Sequence, residues 1–364
     1  MHWIFPCIGE AIYVIVCKRN SHHMKTLSVI VPTYNVEEYI GKCLSSLIVD
    51  REDLEVLVII DGSKDRSCEI AKRFQDNYSG IFRVIEKQNG HYGSCVNTGL
   101  SLAQGKYVKV LDADDFFDSK FEDYIEFLSK IDVDVVLTDY VVVDENNKVL
   151  RKREFSYEPY KVLSIVDLVA GWFSSMQHST ITYRTELLRN MSYRQTEGIS
   201  YTDLQWSSLP FSKVKTFAYY PDIIYRYMKG RSGQSIDIEY RRNNMWMENK
   251  VVLGLANSYE QIKQDIDPNN RIAVKAIIQD LVTNVYRHYL LNYPRQLKIS
   301  ELKDFDENIL NTSPEIYRQI EDATDVRKFG SFYYIKDFRA KGTRKGLRYL
   351  YYDIFRGFGE LIKG

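Results

Sequence analysis

The chain is poor in residues that staple, kink or span. Its 364 residues include 5 cysteines, 6 histidines and 8 prolines. Cys7, Cys17, Cys43, Cys68 and Cys95 are scattered and form no CxxC pair. That excludes a disulfide scaffold and a structural zinc site, and reads as free thiols in a reducing cytoplasm. Charge of neither sign dominates, with 49 Lys+Arg against 49 Asp+Glu. Nothing therefore draws the whole chain to nucleic acid, and electrostatic function belongs to local patches. Long apolar runs are missing too. Residues 3–17 make a stretch of about 15, broken by Pro6, Gly9 and Glu10, where a membrane helix needs roughly 20. Lys18 and Arg19 follow this stretch instead of preceding it, unlike a secretory signal. Residues 1–23 are expected to be an upstream extension outside the folded core. A GxGxxG turn after the first strand, a GxxxxGK[ST] loop and a GxSxG elbow are all missing, which removes dinucleotide-binding, P-loop and α/β-hydrolase readings.

What remains is a globular composition, 45% hydrophobic and 27% charged, long enough for about two or three domains. The 28 tyrosines are read first as half-buried packing residues. The first 140 or so residues alternate between short apolar runs and helical periods. Apolar runs at 27–31, 55–60, 81–85, 107–111 and 133–137 predict buried parallel strands. Between them, residues near 40–48, 67–74 and 94–102 predict helices, with Asn35 and Glu38 offering a capping box. Asp65 or Ser67 would cap the second helix. This alternation predicts an open, mostly parallel sheet with helices on both faces. From about 240 the chain reads as helical, with an apolar stripe through Ile272, Val274, Ile277, Ile278, Leu281, Val282 and Val285.

Ligands in such sheets bind beyond the carboxyl ends of the strands. Polar turns stand there: Pro32 to Asn35 after the first run, Asp61 to Asp65 after the second, Lys87 to Gly90 after the third and Asp112 to Asp115 after the fourth. Asp112 and Asp114, two apart past a strand, offer hard oxygen ligands to Mg²⁺ or Mn²⁺. Such an ion would neutralise a departing diphosphate. Asp61 could accept the imide N–H of a uracil or a ribose hydroxyl, and Tyr34 could stack on a base. The plainer reading of each acid is an Asp-rich turn.

In order and spacing over about 90 residues, these segments resemble the family 2 inverting glycosyltransferases of GT-A fold, of bacterial polysaccharide type. The matching stretches are residues 27–35, 60–65, 89–90, 97–100, 103–107 and 111–115. The resemblance implies a nucleotide-diphospho-sugar donor, most readily a UDP-sugar, and a divalent metal. It puts Pro32, Tyr34 and Asp61 at the nucleotide, Asp112 near the ribose and Asp114 on the metal. Thr33, Asn35, Asn89, Gly90, Asn97 and Ala113 join them as donor contacts. Departures from the family pattern are Ile60 and Thr202 in place of acids, Val96 in place of an Arg, and the run 117–119 where a Pro is common. Residues 201–206 resemble the family's Glu-Asp segment and make Asp203 the candidate general base. Residues 225–231 resemble a later segment, with Arg231 or Lys229 over the diphosphate. His178 could touch the acceptor or be an ordinary satisfied histidine; the second reading is preferred, and it is not assigned to metal.

The expected division is 24–145 for the donor, 146–238 for the acceptor and 239–364 for a helical region. Beyond residue 335, Lys336, Arg339, Lys341, Arg344, Lys345 and Arg348 interleave with Leu347, Leu350, Ile354 and Phe358. That is the pattern of a basic amphipathic tail for an anionic membrane surface. The functional expectation is a non-processive, metal-dependent, inverting transferase acting on a glycan or lipid-linked acceptor. It would be cytoplasmic or peripheral on the inner face of the membrane, without a nucleic-acid partner. A processive synthase is disfavoured because no QxxRW segment occurs. A sugar-nucleotidyltransferase and a non-catalytic nucleotide- or glycan-binding protein are the alternatives.

Overall fold

The computed structural model describes residues 25–170, 176–230, 237–327, 330–347, 349–350 and 353. The N-terminal extension, Arg231 and the last part of the basic tail (348, 351–352 and 354–364) lie outside the described residues. Each predicted apolar run forms a strand: β1 (Leu27–Thr33), β2 (Leu54–Asp61), β3 (Phe82–Lys87), β4 (Tyr107–Val110), and later β6 (Val135–Val143). Helices α1 (Ile40–Ser45), α2 (Ser67–Asn77) and α3 (His91–Leu102) connect the first four, and β5 (Phe116–Phe117) and α4 (Phe121–Lys130) lead to β6. The acceptor-side segment supplies β7 (Val149–Arg153), β8 (Val162–Ser164), α5 (Ile165–Ala170), β9 (Ile181–Arg184), α6 (Thr185–Asn190), the short α7 (Asp203–Trp206) and the long β10 (Thr216–Met228). A helical region follows, with α8 (Ile238–Ile262), α9 (Pro268–Arg287), α10 (Ile299–Thr312), α11 (Pro314–Gln319) and α12 (Tyr334–Lys341).

One ten-stranded sheet runs β3-β2-β1-β4-β9-β6-β10-β5, with β7 on β6 and β8 on β10. β3, β2, β1 and β4 are mutually parallel, as are β6 and β10. β9 enters antiparallel between β4 and β6. The sheet is therefore mostly parallel through its donor half and mixed beyond it.

Both faces are covered, which is why β1 and β2 are buried along their whole length and read as unbroken apolar runs. Alternate side chains still choose sides. Val29 and Val31 of β1, with Val56 and Val58 of β2, pack under α1, α2 and α4. Ile30, Leu57 and Ile59 face α3, and that cluster continues through Tyr183 and Trp206 into α8, α9, α10 and α12. The helical region thus shares one apolar core with the sheet. In α9 the predicted stripe is buried at Val274, Ile277, Ile278, Val282 and Val285, while Ile272 stays 45% exposed. The cysteines within the described residues, Cys43, Cys68 and Cys95, are free thiols.

The expected capping box does not form. α1 begins at Ile40 without a side-chain cap. Asn35 instead takes a left-handed conformation (φ 49°) and its Oδ1 accepts the Lys64 N–H at 2.8 Å. The amide side chain serves the rim between two strands, which an isolated helix signal cannot show. Asp65 does take the predicted place before α2, its Oδ1 accepting the Ser67 N–H at 3.0 Å.

α3 lies so close to β1 that a Cβ at Gly99 would sit 2.5 Å from Ile30 Cγ2. Gly99→Ala is expected to lower the urea midpoint. Overpacking a buried contact costs about 1–3 kcal/mol, against about 1 kcal/mol gained in helix propensity. A midpoint that rises by the full propensity gain would show that the contact is not tight.

Candidate active site

The ends of β1, β2, β3 and β4 lie side by side, so their turns form one rim. Bonds from main-chain N–H groups to side-chain oxygens knit the first two turns together. Glu37 N–H donates to Asp65 Oδ2 at 2.9 Å, Arg66 N–H to Glu37 Oε2 at 2.8 Å and Val36 N–H to Ser67 Oγ at 2.9 Å. Pro32 and Thr33 are buried in β1, whereas Tyr34 is 50% exposed on the rim. A flat aromatic face left in water beside a polar crevice is available for stacking.

Asp61 is nearly sealed. Its Oδ1 lies 2.7 Å from Lys87 Nζ and accepts the Gly90 N–H at 2.9 Å, while its carbonyl accepts from Asn89 Nδ2 at 3.0 Å. Asn89 and Gly90 thus hold the turn that holds Asp61. Asn97 has a different task. Its amide bonds Gln195 O at 2.9 Å, Glu197 Oε1 at 2.8 Å and the Gln195 N–H at 2.8 Å, clamping α3 to the loop ahead of α7. Gln205 of α7 returns from the other side, accepting the Thr196 N–H at 2.7 Å. A Cβ at Gly93 would collide with the Thr196 carbonyl, so this helix–loop approach needs a glycine.

The turn after β4 carries Asp112, Ala113, Asp114 and Asp115. A carboxylate oxygen from each of the three acids lies within 4.8 Å of the others. Ala113 is buried beneath them. Asp115, which sequence reading left without a role, is buried and fixed from β10. Tyr225 donates its hydroxyl to Asp115 Oδ2 at 2.6 Å and Met228 N–H donates to Oδ1 at 2.7 Å. Tyr225 Oη also accepts the Asp112 N–H at 3.2 Å. Burial, with Asp114 and Asp112 alongside, drives the Asp115 carboxyl well above the ordinary carboxylate range. An all-oxygen cluster suits a hard divalent cation. Asp112 and Asp114, the more open pair, fit as its ligands, and Asp115 fits as the group that sets their turn.

Asp203 opens α7, with 37% of its side chain exposed. Between it and Asp112 stands His178, in the turn just before β9. Nε2 of His178 is 3.1 Å from Asp112 Oδ2, without the alignment of a hydrogen bond, and Nδ1 is 3.8 Å from Asp203 Oδ2. Tyr92 donates its hydroxyl to the other oxygen of Asp112 at 3.0 Å. Desolvation opposes charge on the imidazole, but Asp112 and Asp203 outweigh it and hold its pKa above the usual value. Desolvation raises Asp203 in turn; His178 pulls against this, and Asp112 and Glu248 add to it. The sequence reading of His178 as an ordinary core histidine is thus incomplete, since it touches both acids assigned chemistry. Beneath it, Lys109 of β4 is fully buried and donates to the carbonyls of Ser179 at 2.7 Å and Ile181 at 3.4 Å. Burial pushes its pKa down to about 7.

Residues 28–191 match the glycosyl transferase family 2 model. Glycosyltransferase GlyA of Streptococcus pneumoniae is 42% identical over 105 residues, covering 29% of this chain and 14% of that protein. The minor teichoic acid biosynthesis protein GgaB of Bacillus subtilis is 24% identical over 346 residues, covering 89% of this chain and 36% of that protein. The chain therefore spans less than half the length of either relative. Residues 1–349 of TarS from S. aureus share the fold, with a TM-score of 0.56 at 19% identity, covering 80% of this chain and 82% of that one.

Tyr225→Phe removes the hydroxyl that serves both Asp115 and the Asp112 main chain. The variant is expected to lose about 1–3 kcal/mol of stability in chemical denaturation, the cost of a buried polar group left short of a partner. Wild-type stability would mean that the turn is held from elsewhere.

Proposed function

We propose, from the match of residues 28–191 to the glycosyl transferase family 2 model, that this chain is a non-processive inverting transferase of GT-A fold. It moves a sugar from a nucleotide sugar, most readily a UDP-sugar, to a glycan or lipid-linked hydroxyl. One observation carries the reading: the acidic turn after β4 and the acid at the head of α7 face each other across a single imidazole, 3.1 and 3.8 Å away. A leaving-group site and a base site thus lie within one sugar's reach of each other.

The chain's residues divide the work accordingly. Tyr34 stacks on the base and the Asp61 turn reads its edge. Asp112 and Asp114 hold the divalent cation, Mn²⁺ or Mg²⁺, which when bound offsets the charge of the departing diphosphate. Asp203 takes the proton of the acceptor hydroxyl, whose oxygen forms a bond to the anomeric carbon. The bond from that carbon to the diphosphate oxygen breaks, its electron pair leaves with the nucleotide diphosphate, and the configuration inverts. His178 stands between the two acids, 3.8 Å from Asp203. Residues 24–145 serve the donor and 146–238 the acceptor.

No helix among the described residues is long and apolar enough to cross a membrane. Arg339 and Arg344 turn inward to Asp306 and Asp353, but Leu347 and Leu350 are 84% and 56% exposed, with exposed Lys345 close by in sequence. They support a peripheral seat on an anionic cytoplasmic leaflet, where a lipid-linked acceptor is presented. The similarity to GgaB supports an acceptor in cell-envelope polymer synthesis.

A panel of nucleotide sugars screened with Mn²⁺ for thermal shift and transfer tests the assignment. One donor should raise the melting temperature, and EDTA should abolish the shift; if no donor does so, the donor assignment falls. Asp203→Asn should cut transfer by about 10²–10⁴, the usual worth of a general base, while the donor still binds. The pH profile gives a further check. A base must be ionised, and Asp203 is raised above the ordinary value. The rate should therefore fall on acidification at a pH above the roughly 4 of a free aspartate, and an acid limb at or below 4 would remove Asp203 from the role.

A further inference from the structure

We infer that Arg241, on the first helix of the C-terminal region, is a positioning residue that sets Asp203 through Tyr201. The inference rests on the reading of Asp203 as the base. Asp203 begins a helix of only four residues, too short to hold its own direction, so its aim must come from the segment before it. That segment is unusual. Tyr201 is in the left-handed region (φ 64°), which a bulky side chain occupies only where the surroundings impose it.

The surroundings come from α8. The Arg241 guanidinium carbon lies 5.3 Å from the centre of the Tyr201 ring and 5.6 Å from that of Tyr293, so its planar group is flanked by two aromatic faces. The Tyr240 ring meets Tyr201 edge-on at 6.5 Å, and its hydroxyl is 2.6 Å from Ser200 Oγ. The Ser200 N–H donates to Met247 Sδ at 3.4 Å. Residues 200 and 201 are thus gripped by one helix on three sides, and the buried Thr202 passes the constraint to Asp203.

Arg241 is itself fixed from behind. It pairs with the buried Glu248 two turns along α8, and Glu248 Oε1 lies 3.4 Å from His288 Nε2. A buried ion pair is a poor way to fill space, since apolar side chains of the same volume pack as well or better. A guanidinium, however, fixes the plane of a ring that stacks on it, and neither lysine nor an aliphatic chain does so. The pair therefore makes sense as an aiming device. It also assigns the helical region a part in catalysis, beyond completing the core.

Four variants test this: Arg241→Lys, which keeps charge but loses the stacking plane; the double variant R241M/E248Q, which removes both charges and leaves no unpaired charge; Tyr201→Asn, which tolerates the left-handed backbone but lacks the ring; and Tyr201→Phe, which keeps the ring. Each is measured for transfer with the nucleotide sugar that the panel identifies, for UDP binding with Mn²⁺ by calorimetry, and for the His178–Asp203 separation in a crystal structure. The first three should lose about 10- to 100-fold in kcat, the scale of a roughly 1 Å misplacement, with UDP affinity within about twofold and Asp203 moved from its present contact. Tyr201→Phe should retain wild-type kcat. Arg241→Lys or Tyr201→Asn with wild-type kcat and Asp203 in place would overturn the inference, and so would parallel losses of kcat and UDP affinity. Full transfer by Asp203→Asn would sink the base assignment alone; the crystallographic displacement would then still decide whether Arg241 sets Asp203.

Discussion

Negative charge crowded onto the end of one strand is the constraint around which this molecule is arranged. Asp112, Asp114 and Asp115 bring their oxygens within 4.8 Å of one another. Two unit charges at 4 Å repel by about 4 kcal/mol at an effective dielectric of 20, so the turn after β4 cannot stand alone. The structure answers with directed donors. Tyr225 and Met228 of β10 serve Asp115, Tyr92 of α3 serves Asp112, and His178 leans on Asp112 from the third side. These groups arrive from three places in the fold: β10, α3 and the turn before β9. Long β10, the antiparallel insertion of β9 and the close approach of α3 to its neighbouring loop are the means by which those elements converge.

That arrangement also explains which parts of the fold are legible in the amino-acid sequence. β1, β2 and β4 lie between two packed layers, so nearly every side chain is apolar and each strand announces itself. The polar turns that follow are equally visible, because a buried parallel sheet leaves its chemistry to the loops at one rim. Tyr34, Asp61, Asp112 and Asp114 all emerge there. His178 could not be found in this way. It owes its place to β9, which reverses direction between β4 and β6 and delivers the preceding turn to the rim, and no local pattern around residue 178 encodes that pairing. Asn35 and Asn97 misled for a related reason. An amide can cap a helix, touch a ligand or tie two loops, and only the partner, 29 residues away at Lys64 or 98 away at Gln195, decides which. The link between Tyr201 and Arg241, 40 positions apart, is of the same kind.

The helical region changes meaning once its core is traced. A helix added after a finished domain would bury a separate apolar cluster. Here the cluster that begins at Ile30 under α3 runs unbroken through Trp206 to Tyr259, Val282 and Phe338. The packing that stabilises α8 therefore also fixes the loop before α7, and Glu248 on that helix contributes to the raised pKa of Asp203.

Lys109 brings these threads together. A lysine in the middle of a parallel strand, fully buried and with a pKa near 7, carries a large desolvation cost. Its Nζ donates to the carbonyls on either side of Thr180, where the turn carrying His178 meets β9. Without it the Ser179 carbonyl would lose this donor, and the turn that carries His178 would lose a tie to β4. Burial alone sets the pKa of this ammonium. It also disfavours protonation of His178, against the two carboxylates that favour it. A methionine in its place would pack at lower cost but could do neither. The strand that leads to Asp112 thus also carries, three residues earlier, the cation that weighs against a protonated His178.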